Sequence, residues 1–441
     1  MQHIFINIFA LLLASAILLA GNGLQGTLLV VRANSEAFSL TAIGLITSAY
    51  FVGFVLGCRY IPKIVEQVGH IRTYTALASI ASAAALSHIL FVTPVFWIAI
   101  RVISGFCFAG LSMVIESWLN DKATNKIRGR VLSTFRMVDL GAVLVGQLLL
   151  TLADPMGFTL FALVSILLSL ALVPIALTRT ESPKPIASES MSLKNIYKVS
   201  PMGAVGAFTT GIANTAFWAM GPVFVQNMGY KASLVAAFMS AAIIGGALAQ
   251  WPLGMMSDKI DRRIVILFAT VMAMLAGACM YLVAAISPFW MLAGVCAFGA
   301  FAIPLFGLVM AHANDYAKPE NYVSLNSGLL FLYGVGAVAG PVLVSGFMDV
   351  LGTAGLFAYT ATMHSLFLTF AIWRYAVNRD RVGRYEEDYI PMQMASTLHP
   401  ATPETFELEH PRHLKRREKL FKVAGLKDPW LEKKKKPKPK W

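Results

Sequence analysis

Charge is what this 441-residue chain has least of: Asp, Glu, Lys and Arg make up 13% of it, against 57% hydrophobic residues. A soluble domain of that length needs roughly 25% charge to keep its surface wet, so a water-exposed globule is excluded and the bilayer becomes the solvent. Cysteine is scarce as well. Cys58, Cys107, Cys279 and Cys296 all fall in apolar runs without metal-ligand spacing, which leaves them as small buried hydrophobes. There is no Gly-Lys-Ser/Thr phosphate loop, no cluster of His, Cys and carboxylate, and no convergent nucleophile and base. Neither a metal, nor a cofactor, nor enzymatic catalysis is therefore expected. Basic residues are also missing before Arg32, so "LLLASAILLAGNG" lacks the positive flank of a cleaved leader despite its Ala-Ser-Ala and is read as a retained first helix.

What is present is a series of apolar runs, each roughly 20 residues long, the length that crosses a hydrocarbon core of about 30 Å. Twelve spans are read, near 4–30, 40–61, 73–92, 95–118, 131–153, 158–178, 203–226, 233–255, 264–286, 288–312, 324–348 and 355–377. Barrel strands would be about ten residues long and would alternate in polarity, so the expectation is an all-α membrane protein.

The basic clusters fall on alternate connections. One face takes Lys63 and Arg72, then Lys122, Lys126, Arg128 and Arg130, then Arg179, Lys184, Lys194 and Lys198, then Lys259, Arg262 and Arg263; the other has only Arg32 and Lys231. Excess Lys and Arg marks the cytoplasmic side, which puts both termini in the cytoplasm and agrees with an even number of spans. The formal net charge of +13 belongs to these loops and to the tail 379–441, which ends "EKKKKPKPKW". Nothing around that tail resembles a nucleic-acid module; a mostly disordered, solvated segment or attraction to anionic lipid accounts for it.

The chain also repeats itself. "SWLNDKAT" around Asn120 and Asp121 returns as "AHANDYAK" around Asn314 and Asp315, 194 residues later. Pro94 and Pro288, Gly105 and Gly299, Ser133 and Ser327, and Gly146 and Gly340 share that offset; Asn22 and Asn214, Ser48 and Ser240, and Gly53 and Gly245 share one of 192. Two six-helix halves of the same orientation follow, 1–179 and 201–378, joined by a polar connection at 180–200. Small residues four apart let helix backbones approach closely in lipid. They recur on span 2 (Ala49, Gly53, Gly57), span 8 (Ala241, Gly245, Ala249), span 5 (Ala142, Gly146) and span 11 (Gly336, Gly340), so these four spans are expected to make tight sliding contacts.

"PLGMMSDKIDRR" (Pro252–Arg263) resembles the loop signature of the major facilitator superfamily: Gly254, Asp258, Lys259, Arg262 and Arg263 match, with Asp261 in place of its second glycine. "PKIVEQVGHIR" (Pro62–Arg72) is similar to a degraded copy carrying Glu66 and Gly69. "RVISGFCFAG" (Arg101–Gly110) resembles the family's arginine-centred motif, and "ESWLNDKATNKIRGRVLS" (Glu116–Ser133) is similar to a YcaD-like branch of transporters. The resemblance covers all but the tail. It implies a monomer in the cytoplasmic membrane of a bacterium, with two bundles rocking about a site near the bilayer midplane. Spans 1, 4, 7 and 10 would line the cavity, and spans 2, 5, 8 and 11 would form the interface between bundles, with Gly53, Gly57, Ala142, Gly146, Gly245, Gly336 and Gly340 as packing residues.

Ionisable groups inside spans are costly and mark candidate sites. Arg101 lies about 10 Å below the outer surface and Asp139 about 14 Å above the inner one at 1.5 Å per residue, so the two are expected to interact. A fixed ion pair and a substrate- or proton-binding pair both remain open. Asn22, Gln25, Asn214 and Thr215 are either cavity contacts or satisfied interhelical hydrogen bonds. Glu116 and Arg136, nearer the cytoplasm, read as a gate or latch, as do Asp258, Lys259, Arg262 and Arg263, and more weakly Glu66 and Gly69. The function expected is secondary active transport of a small organic solute, coupled to protons. Export is placed ahead of uptake because "GVGAVAGP" (334–341) resembles a family export signature, although that signature belongs on span 5, where Gln147 replaces its proline. A non-transporting sensor or scaffold with the same fold is the alternative. Asn120, Asp121, Asn314 and Asp315 read as paired helix-end turns.

Overall fold

The computed structural model describes residues 2–122, 128–177, 191–283, 287–318 and 321–377. The basic tail and most of the polar connection lie outside the described residues. Among the described residues the chain is helical with no strand, as the apolar runs require. The first half holds α1 (Gln2–Ser35), α2 (Leu40–Val68), α3 (His70–Leu90), α4 (Pro94–Lys122), α5 (Arg128–Leu149), α6 (Thr159–Leu170) and α7 (Leu172–Ala176). A short α8 (Leu193–Val199) precedes α9 (Pro201–Asn227), α10 (Ala232–Lys259), α11 (Arg262–Val283), α12 (Pro288–Ala302), α13 (Leu305–Asn314), α14 (Tyr322–Leu351) and α15 (Gly355–Val377).

Local chemistry sets these limits. Ser39 opens α2 by accepting the Ala42 N–H at 3.2 Å. Ser200 opens α9 by accepting the Gly203 N–H at 3.0 Å, with Pro201 at the first helical position. α2 and α3 run further than their apolar cores, leaving Gly69 alone between them at φ +89°, a conformation that glycine adopts without penalty. Two expected spans are broken. Pro304 separates α12 from α13 and Pro174 sits just past the α6–α7 break, because a proline has no N–H to donate and crowds the carbonyl four residues back. The polar connection contains a helix, α8, that its composition did not announce.

Eleven of the twelve expected spans are helical segments long and apolar enough to cross a bilayer. α9 is the twelfth. It carries no charged residue, but Gly, Thr, Asn and Pro dilute its hydropathy. Most of it is buried against α14, α15, α13 and α1 rather than offered to lipid.

The sequence repeat is a packing repeat. α2 lies on α4, α1 on α5 and on α6, and α3 on α6; correspondingly α10 lies on α12, α9 on α14 and on α15, and α11 on α15. Between the halves α2 meets α14 and α5 meets α10, with α1 touching α9. α2, α5, α10 and α14 are the spans expected at the interface, whereas α1 and α9 are spans expected to line the cavity. The glycines assigned to that interface, however, work inside each half. A Cβ on Gly53 would overlap the Val102 carbonyl of α4, and one on Gly57 would reach Ala109; on Gly245 it would overlap the Cys296 carbonyl of α12. Gly146 abuts Ala20 and Leu24 of α1, while Gly336 and Gly340 abut Phe208 and Ile212 of α9. Periodicity identifies a small-residue face but not the neighbour it meets. Of the residues assigned to the interface, Ala142 does cluster with Ile243 of α10 across it. The close crossings between halves use glycines that had not been singled out: a Cβ on Gly44 would sit 2.5 Å from the Pro341 carbonyl oxygen, and one on Gly334 would sit 2.9 Å from Val55 Cγ2.

Candidate functional site

Two charged groups are buried in the first half. In one, Arg136 bridges two helices: its Nη1 donates to Asp139 Oδ2 at 3.3 Å and its Nη2 to Glu116 Oε1 at 3.4 Å. Asp139 is fully buried and Glu116 nearly so. Ser15, Leu18 and Leu19 of α1, Ser112 of α4 and Phe135 of α5 complete a small cavity around both carboxylates. Such a group costs several kcal/mol in a dry interior unless its charges are paired, so its presence is a functional signal.

The other group is Arg101, buried in α4, with its guanidinium 4.3 Å from the ring centre of Tyr50 on α2. Its Nε and Nη1 have no hydrogen-bond partner among the described residues, and the Asn22 side chain of α1 faces the Tyr50 hydroxyl. The expected Arg101–Asp139 pair is not the arrangement found. α4 is 29 residues long, so Arg101 and Glu116 are about 22 Å apart along it. Asp139 lies at the level of Glu116. The height estimate took the outer end of α4 and the inner end of α5 to be about 30 Å apart, but α4, at 29 residues, is itself about 44 Å long.

The uncharged candidates divide. Gln25 is buried with its amide nitrogen unpartnered. Asn214 donates to the Ala302 carbonyl at 3.4 Å and faces Tyr333. Thr215 bonds the Gly211 carbonyl of its own helix at 2.7 Å and is fully buried, so it is occupied by helix packing. Gln147, at the position of a family proline, accepts from Thr27 at 2.7 Å and donates to the Gly23 carbonyl at 3.2 Å, which pins α5 to α1.

The loop signature forms a compact ionic group. Arg262 pairs with Asp258 at 3.4 Å and with Asp315 at 2.8 Å, while Arg263 holds Asp261 through Nε and Nη2. Asp261 lies in the loop between α10 and α11. Burial raises its pKa, but the bonds from the Arg263 side chain and backbone outweigh burial and hold the carboxyl below its usual range. Lys259 is exposed and Gly254 half-buried. The repeat mate of this group is weaker. Glu66 is exposed and enters no ion pair among the described residues, and His70 stands where Arg262 stands, stacked on Trp118 and 3.4 Å from Ser117. Asp315 was read only as a turn residue; its offset from Asp121, set beside the offset from His70 to Arg262, is the signal that could have found the pair. Asn314, also read as a turn residue, donates to Asn326 at 2.9 Å.

At the opposite end of the bundle four side-chain hydrogen bonds join the halves where α1 and α9 finish. Asn34 donates to Gln226 at 3.2 Å and to Asn227 at 3.0 Å, and Gln226 donates to the Val31 carbonyl and to Ser35, each at 3.2 Å. Nearby, Arg32 pairs with Glu36 at 2.7 Å and donates to the carbonyls of Pro155 and Met156.

The model of the Major Facilitator Superfamily matches this chain twice, over residues 11–341 and 203–432. The MFS-type transporter YcaD of Escherichia coli O6:K15:H31 (strain 536 / UPEC) is 25% identical over 344 residues, 78% of this chain and 89% of that protein; YcaD of Escherichia coli (strain K12 / DH10B) gives the same figures. Among solved structures, a mutant of the nucleoside transporter NupG superposes with a TM-score of 0.74 at 13% identity, covering 84% of this chain and 100% of that one. A bacterial homologue of the human lysosomal transporter Spinster, in an inward-facing and occupied conformation, gives 0.68 at 15% identity, covering 84% and 95%. With the paired helices, the loop signature and these matches together, the chain belongs to the major facilitator superfamily as a YcaD-like membrane transporter.

Proposed function

We propose that this transporter moves a small organic solute by alternating access, coupled to protons, with export favoured over uptake, and that Glu116, Arg136 and Asp139 form the coupling site. The observation that carries this reading is the burial of two carboxylates on one arginine inside a cavity walled by α1, α4 and α5. Protonation of either carboxylate releases part of the arginine's charge, and that change favours a different packing of α4 and α5. Arg101, Tyr50, Asn22 and Gln25 lie nearer the base-poor end and serve as solute contacts, since Arg101 presents donors that the described residues leave unmet.

The moving bodies are residues 1–179 and 201–378. The hydrogen bonds between Asn34 and Gln226 close the end without basic clusters, which the charge asymmetry makes periplasmic, so the conformer is closed to the outside. The group Arg262–Asp258–Asp315 holds α10, α11 and α13 together at the cytoplasmic end while the halves rock. The direction rests on 334–341, and the protein acts as a monomer in the cytoplasmic membrane.

The test is a thermal-shift screen of small organic solutes on purified protein, repeated on Asp139→Asn and Arg101→Gln. The reading expects Arg101→Gln to lose the shift. Asp139→Asn is expected to keep it while losing the dependence of the solute's dissociation constant on pH. A pH dependence unchanged in Asp139→Asn would remove this site from coupling.

A further inference from the structure

A second pocket lies in the other half, at its basic end, where α8 meets α9 and where α11 begins and α13 and α15 finish. Lys198, Ser200, Arg263, His312, Tyr316 and Arg374 line it, and no Asp or Glu does among the described residues. Asp261 lies close by but is taken up by Arg263, so that arginine adds field to the pocket rather than an available donor. Lys198 and Arg374 have no carboxylate partner among the described residues. His312 is 5% exposed, touches Tyr316 edge-on at 5.0 Å and makes no hydrogen bond to a described residue, yet its ring faces this pocket. An imidazole always has one N–H or more to donate, and this one opens on the pocket.

Cationic and neutral donors thus converge from α8, α13 and α15 on a site that supplies no acceptor charge of its own. We propose that this pocket binds a phosphate group. A tetrahedral phosphate offers acceptors in several directions at once, which suits an ammonium, a guanidinium and an imidazole arriving from different helices, whereas a carboxylate offers its acceptors in one plane. Two sources carry that chemistry: the phosphate of an anionic lipid at the bilayer surface, and a water-soluble phosphate. Bound there, it ties the connection between the halves to the ends of α13 and α15, far from the coupling site of the first half.

Full-length protein in dodecyl maltoside, free of phosphate, is titrated in two arms by thermal shift. One arm uses inorganic phosphate; the other uses phosphatidylglycerol against dioleoylglycerol, which has no phosphate. Stabilisation by inorganic phosphate identifies a soluble ligand, and stabilisation by phosphatidylglycerol alone identifies a lipid. In either case Lys198→Ala with Arg374→Gln raises the half-saturating concentration about tenfold or more. Lys198 is exposed, so Lys198→Glu alone keeps the test intact if the double variant fails to fold, and it is expected to weaken the response in the same way. Equal responses of wild type and variants, or no response to either probe, would overturn the proposal.

Discussion

The Asn34 amide donates to the Gln226 side-chain oxygen across the boundary between the two halves, at 3.2 Å, and the two residues are 192 positions apart, the same offset that relates Asn22 to Asn214. The closed end of the molecule is therefore built from one repeat position used twice, with the ends of α1 and α9 meeting across the pseudo-symmetry. The Asn34 amide donates to two side chains of the other half, and the Gln226 amide accepts from Asn34 and donates back to Val31 and Ser35. Neutral amide bonds of this kind contribute about 1 kcal/mol each, enough to bias an equilibrium without locking it.

Removing both amides should open this end. Asn34→Ala with Gln226→Ala removes four hydrogen bonds and is expected to shift the population toward the outward-open state by at least roughly fivefold to thirtyfold, the worth of one or two of them. Electron-paramagnetic distances between labels on Ala37→Cys and Lys231→Cys, both exposed at that end, would show a longer component. An unchanged distance distribution would mean that these bonds do not hold the halves together.

Glycines inside a half and between halves should behave differently. Gly53→Val forces its side chain into the Val102 carbonyl, so loss of folded protein is expected, read as lower yield and a lower Tm. Gly44→Ala meets the Pro341 carbonyl across the boundary between the halves, where the proposed rocking lets them separate slightly. It is expected to leave the Tm nearly unchanged while altering the same label distances.

The buried charge group makes a stability statement. Arg136→Gln leaves two buried carboxylates without their shared cation and should cost about 3–5 kcal/mol. Adding Asp139→Asn and Glu116→Gln should recover much of that loss, because nothing charged then remains to be paired. Unfolding free energies of the single, double and triple variants, measured in mixed micelles, provide the cycle.

Asp261 sets a pH dependence. Its folded-state pKa lies below the unfolded value, so the stabilisation it brings is fully present above about pH 4 and is lost as pH falls through the folded value. Wild type should therefore lose Tm over that acid range more steeply than Asp261→Asn. Above about pH 5 the two should show parallel profiles, separated by a constant offset.

The apolar runs, the repeat and the loop signature made the fold legible, because hydropathy and polar punctuation are written locally. Tertiary distance was not. Arg101 and Asp139 looked close only while the outer end of α4 and the inner end of α5 were taken to be about 30 Å apart; the length of α4 carries Glu116 to the level of Asp139 instead. The face of α2 that bears Gly53 was visible as a stripe, but a stripe does not say whether α4 or α14 lies against it. Asn34 and Gln226 escaped notice because both are ordinary helix-end amides, and only their juxtaposition gives them a role.

Proton-coupled alternating access through the Glu116–Arg136–Asp139 group is tested most directly by flux. Proteoliposomes carrying wild type or Asp139→Asn would be loaded with a solute that gives a thermal shift, and its movement followed under an imposed pH gradient. The account expects gradient-driven flux in the wild type, abolished by a protonophore and reduced at least tenfold in Asp139→Asn, with Arg136 and Glu116 variants that fold behaving alike. Flux that is indifferent to the gradient, or equal in wild type and Asp139→Asn, would contradict it.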